Sequence, residues 1–187
     1  GGYNMNGTIQ ALQDAAQAGS VMAVYRDETG DSWSGIPVAT GPAIAVLARE
    51  RDFVLDGYIA IGASQITGVE QYDDNDFIRR AMKGEGVYDG CKRPAALQTC
   101  RDWKELAAGI LRDFGGWCIA ECAGEEGELC FFVGKIISLE QDYLTLQPVG
   151  ADGSWTKDTA VIPYEDLCTI TFGDNYLKVY AKYMKKQ

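Results

Sequence analysis

Six cysteines are the side chains of this sequence best suited to nucleophilic chemistry or metal binding. The gaps between them are 8, 17, 3, 7 and 37 residues, whereas a structural zinc site usually shows two close pairs of Cys or His. Cys118 and Cys122 lie in the apolar stretch 117–122, where an alternating strand places both on one face. We therefore predict that they are buried as small hydrophobic side chains, and that the chain holds no metal ion.

Histidine is absent from the sequence, which removes the commonest general base. Any nucleophile would then need a Lys or carboxylate base. The acidic pairs Glu125-Glu126 and Asp73-Asp74 stand on turns, where neighbouring carboxylates point apart instead of facing each other across a cleft. The sequence also lacks a Gly-rich loop followed by Lys and Ser or Thr that would hold a phosphate. These observations predict a protein that is not an enzyme, with no catalytic residues and no cofactor.

Four aromatic side chains are the candidate binding residues. Trp33 and Trp155 stand in or beside predicted turns, Tyr58 opens a predicted strand, and Tyr164 follows another. Exposed aromatic rings favour binding. The alternative is that these rings close the end of a small core, because they are the largest side chains available to fill it.

Charge and composition narrow the classes of partner. The 187 residues include 17 basic and 27 acidic side chains, for a net charge of −10, and this charge repels the phosphate backbone of nucleic acids and anionic membranes. No apolar run approaches the roughly 20 residues that span a bilayer. Six cysteines in 187 residues are too sparse for a disulfide scaffold and fit a reducing compartment. We expect a cytoplasmic protein that binds neither membranes nor, in general, nucleic acid.

The end of each half of the chain carries the same arrangement. In 66–78 and again in 167–177, an alternating apolar strand runs into Asp-Asn, and these side chains can cap the first turn of a helix. Apolar residues then recur at helical spacing, which predicts a short helix at the end of each half. These residues are Phe77, Ile78, Ala81 and Met82 in the first helix and Leu177, Tyr180, Ala181 and Met184 in the second.

Each half also opens with a helix. The apolar residues from Trp103 to Phe114 form one stripe of a helix that ends at Gly115-Gly116, and 8–18 shows a fainter version of the same pattern. Five short strands follow each helix, separated by Gly, Pro and acidic turns. Closing five strands into a small barrel would remove their exposed edges.

The predicted fold is therefore mainly β with flanking helices (α+β): two tandem five-stranded barrels, each with an N-terminal helix and a short C-terminal helix. We place the first barrel at 6–83, a Gly-rich linker at 84–94 and the second barrel at 95–187. Divided after Pro94, the first half has 8 basic and 13 acidic residues and the second has 9 and 14, so each carries −5.

This architecture resembles the Sm/LSm fold, an SH3-like small barrel, and the segment 133–146 is similar to that family's first sequence motif. Gly134 matches the glycine where the second strand bends, Ile136 and Leu139 match the apolar positions after it, and Glu140 stands where the family usually has Asp. The glycine also has a purely physical reason, because a sharply curved strand brings backbones too close for a Cβ.

The departures from the Sm pattern concern RNA binding. Leu144 stands in the loop where the family usually carries the Asn that contacts a base, and the stretches 61–66 and 162–167 lack the Arg-Gly or Lys-His element of its second motif. The resemblance therefore implies the fold, and it leaves RNA binding as the third and disfavoured function.

The segment 58–69 together with Phe77 resembles the closing strand and following helix of the WYL-type regulatory domains of bacteria, although the Trp-Tyr-Leu triplet is absent. That resemblance implies a ligand-sensing module, which is the alternative function. Our leading prediction is a binding or scaffolding protein that recognises a protein or small-molecule ligand through loops and barrel edges. Because two fused barrels can each supply the other's neighbour, we expect a monomer or dimer.

Overall fold

The computed structural model describes residues 5–88, 97 and 100–184. From position 89 onward, the predicted linker 84–94 lies outside the described residues, as does Cys91. Within the described part of the chain, no helix combines the length and the apolar character needed to cross a bilayer.

Both halves of the chain form a helix, five strands and a second helix, with one turn of 3₁₀ helix before the fifth strand. The first half contains α1 (Met5–Ala18), β1 (Met22–Arg26), β2 (Asp31–Thr40), β3 (Ile44–Arg51), β4 (Val54–Gly62), the 3₁₀ turn Ala63–Gln65, β5 (Gly68–Gln71) and α2 (Asn75–Gly84). The second half contains α3 (Trp103–Asp113), β6 (Trp117–Ala123), β7 (Leu129–Leu139), β8 (Tyr143–Pro148), β9 (Ala160–Pro163), the 3₁₀ turn Tyr164–Asp166, β10 (Leu167–Phe172) and α4 (Asn175–Tyr183).

The α3 helix forms where the sequence predicts it. Trp103, Leu106 and Ile110 lie on one stripe and are buried, because residues three and four apart share a helix face. Asp102 precedes the helix and accepts a hydrogen bond from the N–H of Glu105 at 2.9 Å, which satisfies one of the free donors of the first turn. The apolar stripe and the cap together fix where α3 begins and which face it buries.

The predicted Asp-Asn caps form in one half only. Asp174 accepts a hydrogen bond from the N–H of Leu177 at 3.0 Å at the start of α4. Asp74 makes no equivalent side-chain cap bond at the start of α2. Instead, the buried amide of Asn75 accepts a hydrogen bond from the N–H of Val21 at 2.8 Å, so in this half the motif ties the helix to the chain just before β1.

All ten strands belong to one antiparallel sheet with the order β5-β1-β2-β3-β4-β10-β6-β7-β8-β9. The order within the second half, β10-β6-β7-β8-β9, repeats the order β5-β1-β2-β3-β4 of the first. The halves meet where β4 pairs with β10, with Ala60 opposite Ile170 and Tyr58 opposite Phe172. We term this contact the internal junction.

The structure does not confirm two separate five-stranded barrels, because the sheet is continuous and is not closed. The prediction assumed that each half hides its own strand edges. Instead, β4 of the first half covers the open side of β10, and all six residues of β10 are buried. The broader prediction, mainly β with flanking helices, describes the structure, while the domain limits 6–83 and 95–187 stay a prediction.

The main hydrophobic core is shared by the two halves. Val46 and Ala60 of the first half belong to the same buried cluster as Ile136, Ile170 and Phe172 of the second half. Burial of apolar surface is the largest favourable contribution to folding, at roughly 25 cal/mol per Å². A core built from both halves therefore stabilises the internal junction together with its backbone hydrogen bonds.

A glycine and a bulge bend the second strand of each half. Gly35 in β2 and Gly134 in β7 are each followed, two residues later, by a shift in register. A Cβ at Gly134 would overlap the carbonyl oxygen of Gln147 and would lie 2.8 Å from the Cα of Pro148. The predicted close approach of backbones is confirmed at this position, and Pro37 lies at the bulge of β2, as its lack of an N–H favours.

Candidate functional site

The cysteines described by the structure are free thiols in or beside the core. Cys118 and Cys122 both lie in the main core, as the alternating pattern predicts. Burial raises the pKa of Cys118 to about 12 and that of Cys122 to about 11, so both are protonated at neutral pH and are poor nucleophiles. Among the described residues, no group of three or more Cys, Asp or Glu is placed to hold a metal ion.

A buried ion pair joins the two halves. Arg26 at the end of β1 and Glu121 in β6 are 3% and 4% exposed. The Nη2 of Arg26 donates to Oε2 of Glu121 at 3.0 Å, and its Nη1 donates to Oε1. Thr29 and Asp31 accept further hydrogen bonds from the same guanidinium. The bond to Glu121 raises the pKa of Arg26 despite burial, and these donors are used within the protein, so we assign the group a structural role.

Two of the four predicted binding residues, Trp33 and Tyr58, belong to the first half. Trp33 packs within that half, and Tyr58 packs at the internal junction. Trp33 lies beside Arg26, with 5.3 Å between the guanidinium carbon and the ring centre, and borders a polar cavity of about 460 Å³. Tyr58 stacks on Phe172 of β10 with ring centres 5.3 Å apart. These contacts fit the alternative interpretation, in which aromatic rings fill and close the core.

The other two aromatics lie in the second half, apart from each other. Trp155 packs on Trp117 with ring centres 5.5 Å apart. Tyr164 follows β9, and its N–H donates to the carbonyl of Asp142 at 2.9 Å, while its hydroxyl donates to the carbonyl of Glu140 at 3.2 Å. These two bonds hold the Tyr164 ring beside the outer edge of the sheet.

The edge of the sheet at β9 is the candidate binding site. Within the described residues β9 pairs only with β8, so the backbone groups on its other side have no strand beside them. A groove of about 620 Å³ lies over one face of the β8–β9 pair and is lined in part by Tyr143 of β8, by Val161 and Pro163 of β9, and by Tyr164. The side chain of Val161 is 59% exposed and that of Tyr143 is 39% exposed. An open strand edge with apolar side chains can take up an extended polypeptide as a further strand.

Sequence patterns point to Tyr164 but not to Val161 or Tyr143. Strand alternation shows that Val161 and Ile162 face opposite sides of β9, and Ile162 is indeed buried. The pattern does not reveal that the Val161 side is left uncovered, because that depends on which strand, if any, lies next to β9.

Comparison of the chain with protein-family models, curated proteins and solved structures finds no match.

Proposed function

We propose that the protein is a non-enzymatic binding and scaffolding protein that takes up an extended segment of polypeptide at the β9 edge. The observation that carries this proposal is an outer strand with one open side, where Val161 is 59% exposed. In this mode of recognition, backbone hydrogen bonds supply affinity, and contacts with alternate side chains supply specificity. Tyr143 and Tyr164 supply such contacts, because both line the groove along β9.

The expected affinity of this edge is modest. Backbone hydrogen bonds and the covering of Val161 favour binding, whereas ordering of the added segment opposes it. Because β9 has only four residues, we expect dissociation constants in the micromolar range, about −8 kcal/mol.

The non-enzymatic part of the proposal is supported by the state of the cysteines. Burial keeps Cys118 and Cys122 protonated at neutral pH, and the sequence contains no histidine to act as their base. Turnover in a broad hydrolase screen that disappears when one cysteine is replaced would contradict it.

Selection from a displayed library of random twelve-residue peptides tests strand addition. We expect the selected peptides to bind the Val161→Lys variant at least ten-fold more weakly than the unmodified protein, a difference of about 1.4 kcal/mol. The reason is that a bound peptide would cover the lysine charge, which must then be desolvated. Fluorescence anisotropy of labelled peptides measures the change. Val54→Lys is the matched control, since Val54 is 53% exposed on β4, and its peptide affinity should stay within two-fold. Peptides that bind both variants equally, or a selection that enriches none, would contradict the proposal.

A further inference from the structure

The two halves correspond residue by residue around their 3₁₀ turns. Each turn lies between the fourth and the fifth strand of its half, and the turns are Ala63–Gln65 and Tyr164–Asp166. The step from 63 to 164 is an offset of 101 residues, and the same offset relates the flanking strands. It makes Val161 on β9 the equivalent of Ala60 on β4.

These equivalent positions differ in burial because only one of them has a strand beside it. At the internal junction Ala60 lies opposite Ile170, and both are 0% exposed. Val161 occupies the same place as Ala60 but is 59% exposed. The offset of 101 also makes Val69 on β5 the equivalent of Ile170. The outer strand β9 is therefore the equivalent of β4 at the internal junction, and the outer strand β5 is the equivalent of β10. Within the described residues, neither outer strand has a strand on its open side.

We propose that β9 of one copy of this chain pairs with β5 of a second copy, in the register of the internal junction. Val161 of one copy then lies opposite Val69 of the next, and Ala160 lies opposite Glu70. The inference rests on the proposed function, since the same β9 edge receives the strand. The other edge also lacks a strand on one side, because within the described residues β5 pairs only with β1.

Charges beside the two edges are complementary. At the internal junction Asp56 accepts a hydrogen bond from the N–H of Asn175, where α4 begins. Lys157 is exposed and precedes β9 by three residues, and in the proposed antiparallel register the residues before β9 run toward those that follow β5. In the first half, the helix equivalent to α4 is α2, whose beginning carries Asp74 and Asp76. Lys157 of one copy therefore approaches the carboxylates of the next, which offsets locally the repulsion between two chains of net charge −10.

Pairing of β9 with β5 joins two different surfaces, so each added copy presents a new open edge until the assembly closes. Head-to-tail contacts of this kind build closed rings or open chains. The expectation of a monomer or dimer rests on the two halves supplying each other's neighbour; within the described residues they do so at β4 and β10, while β5 and β9 each keep one side without a strand.

A pair of cysteine replacements tests the register directly. Glu70→Cys combined with Ala160→Cys places one thiol on each edge, and the proposed pairing brings them face to face. Mild oxidation should then join most chains into a ladder of dimers and larger species on a non-reducing gel. The matched control combines Glu70→Cys with Val161→Cys. This moves one thiol to the opposite face of β9, and it should give at most about a tenth of the ladder.

Sedimentation equilibrium supplies the second measurement. The protein is measured at about 100 μM, well above a micromolar dissociation constant. The average molar masses of the unmodified protein and of the Val54→Lys variant should exceed the 20.4 kDa of one chain. The molar mass of the Val161→Lys variant should equal that of one chain. If the two cysteine pairs give ladders of equal intensity, the proposed register is wrong. If the unmodified protein has a molar mass of 20.4 kDa and no ladder forms, the proposed pairing of β9 with β5 is wrong.

The two proposals fail in distinguishable ways. If the unmodified protein is monomeric but selected peptides still lose affinity to Val161→Lys, self-pairing is wrong and strand addition at β9 stands. If self-association persists in Val161→Lys and the peptides bind that variant equally well, both proposals are wrong.

Discussion

Replacement of Glu121 by alanine is expected to lower the free energy of unfolding by about 3–5 kcal/mol, because it leaves a buried guanidinium without its main partner. Arg26 is 3% exposed, so it cannot turn to water without displacing the residues that bury it. Asp31 alone does not replace Glu121, since its side chain is 44% exposed and lies at the rim of the site. Urea unfolding followed by circular dichroism measures the change.

The control for Glu121→Ala removes both charges. In the double variant Arg26→Met with Glu121→Leu, no buried charge is left uncompensated, so we expect it to be more stable than the single Glu121→Ala variant. A coupling free energy of at least about 1 kcal/mol in the double-mutant cycle formed by Arg26→Met, Glu121→Leu and their double variant would show that the pair acts as a unit. Additive costs of the two replacements would show that it does not.

Gly57→Ala is expected to destabilise the protein by about 2–4 kcal/mol, because the added methyl group meets backbone at the internal junction. Gly57 has φ +68°, and a Cβ there would lie 2.7 Å from the Cα of Asp174. Two costs therefore combine, namely a left-handed backbone conformation for a residue with a Cβ and a displacement of the start of α4 away from β4. Thermal or urea unfolding measures the loss.

Gly30→Ala separates the two costs. Gly30 has φ +72°, close to that of Gly57, but a Cβ there meets nothing within 4 Å. Only the conformational cost applies, so we expect about 1–2 kcal/mol. If both replacements lower the free energy of unfolding by the same amount, the close approach of Gly57 to Asp174 does not contribute to the loss. That result would contradict the close packing of β4 against the start of α4.

Local patterns predicted the elements well. The stripe from Trp103 to Phe114 predicted α3 because helical spacing is a property of the segment itself, and the buried residues Trp103, Leu106 and Ile110 confirm it. The bend at Gly134 was predictable for the same reason, since a glycine and the strand around it lie within one short stretch of sequence.

The internal junction could not be predicted from such patterns. Alternation in β10 predicts that Thr169 and Thr171 face away from the core, yet both are buried, because β10 has a strand on each side and both of its faces are covered. The ion pair shows the same limit, since Arg26 and Glu121 are 95 residues apart in sequence. Each residue alone looks like an ordinary surface charge.

The candidate site was predicted only in part. Tyr164 stood out as an aromatic residue beside a strand, and it borders the groove. Val161 did not stand out, because a single valine on a short strand is equally compatible with a covered and an open edge. Strand order decides between these, and in this sequence no local signal specifies strand order between the halves.

Cross-strand nuclear Overhauser contacts in the dissolved protein test most directly the claim that one continuous sheet joins the halves. The structure predicts contacts between 58–61 of β4 and 169–172 of β10, at intensities that do not change on dilution, because this pairing lies within one chain. Contacts that instead join β4 to β5 and β9 to β10 would show two separately closed barrels and would contradict the internal junction and the edge pairing inferred from it.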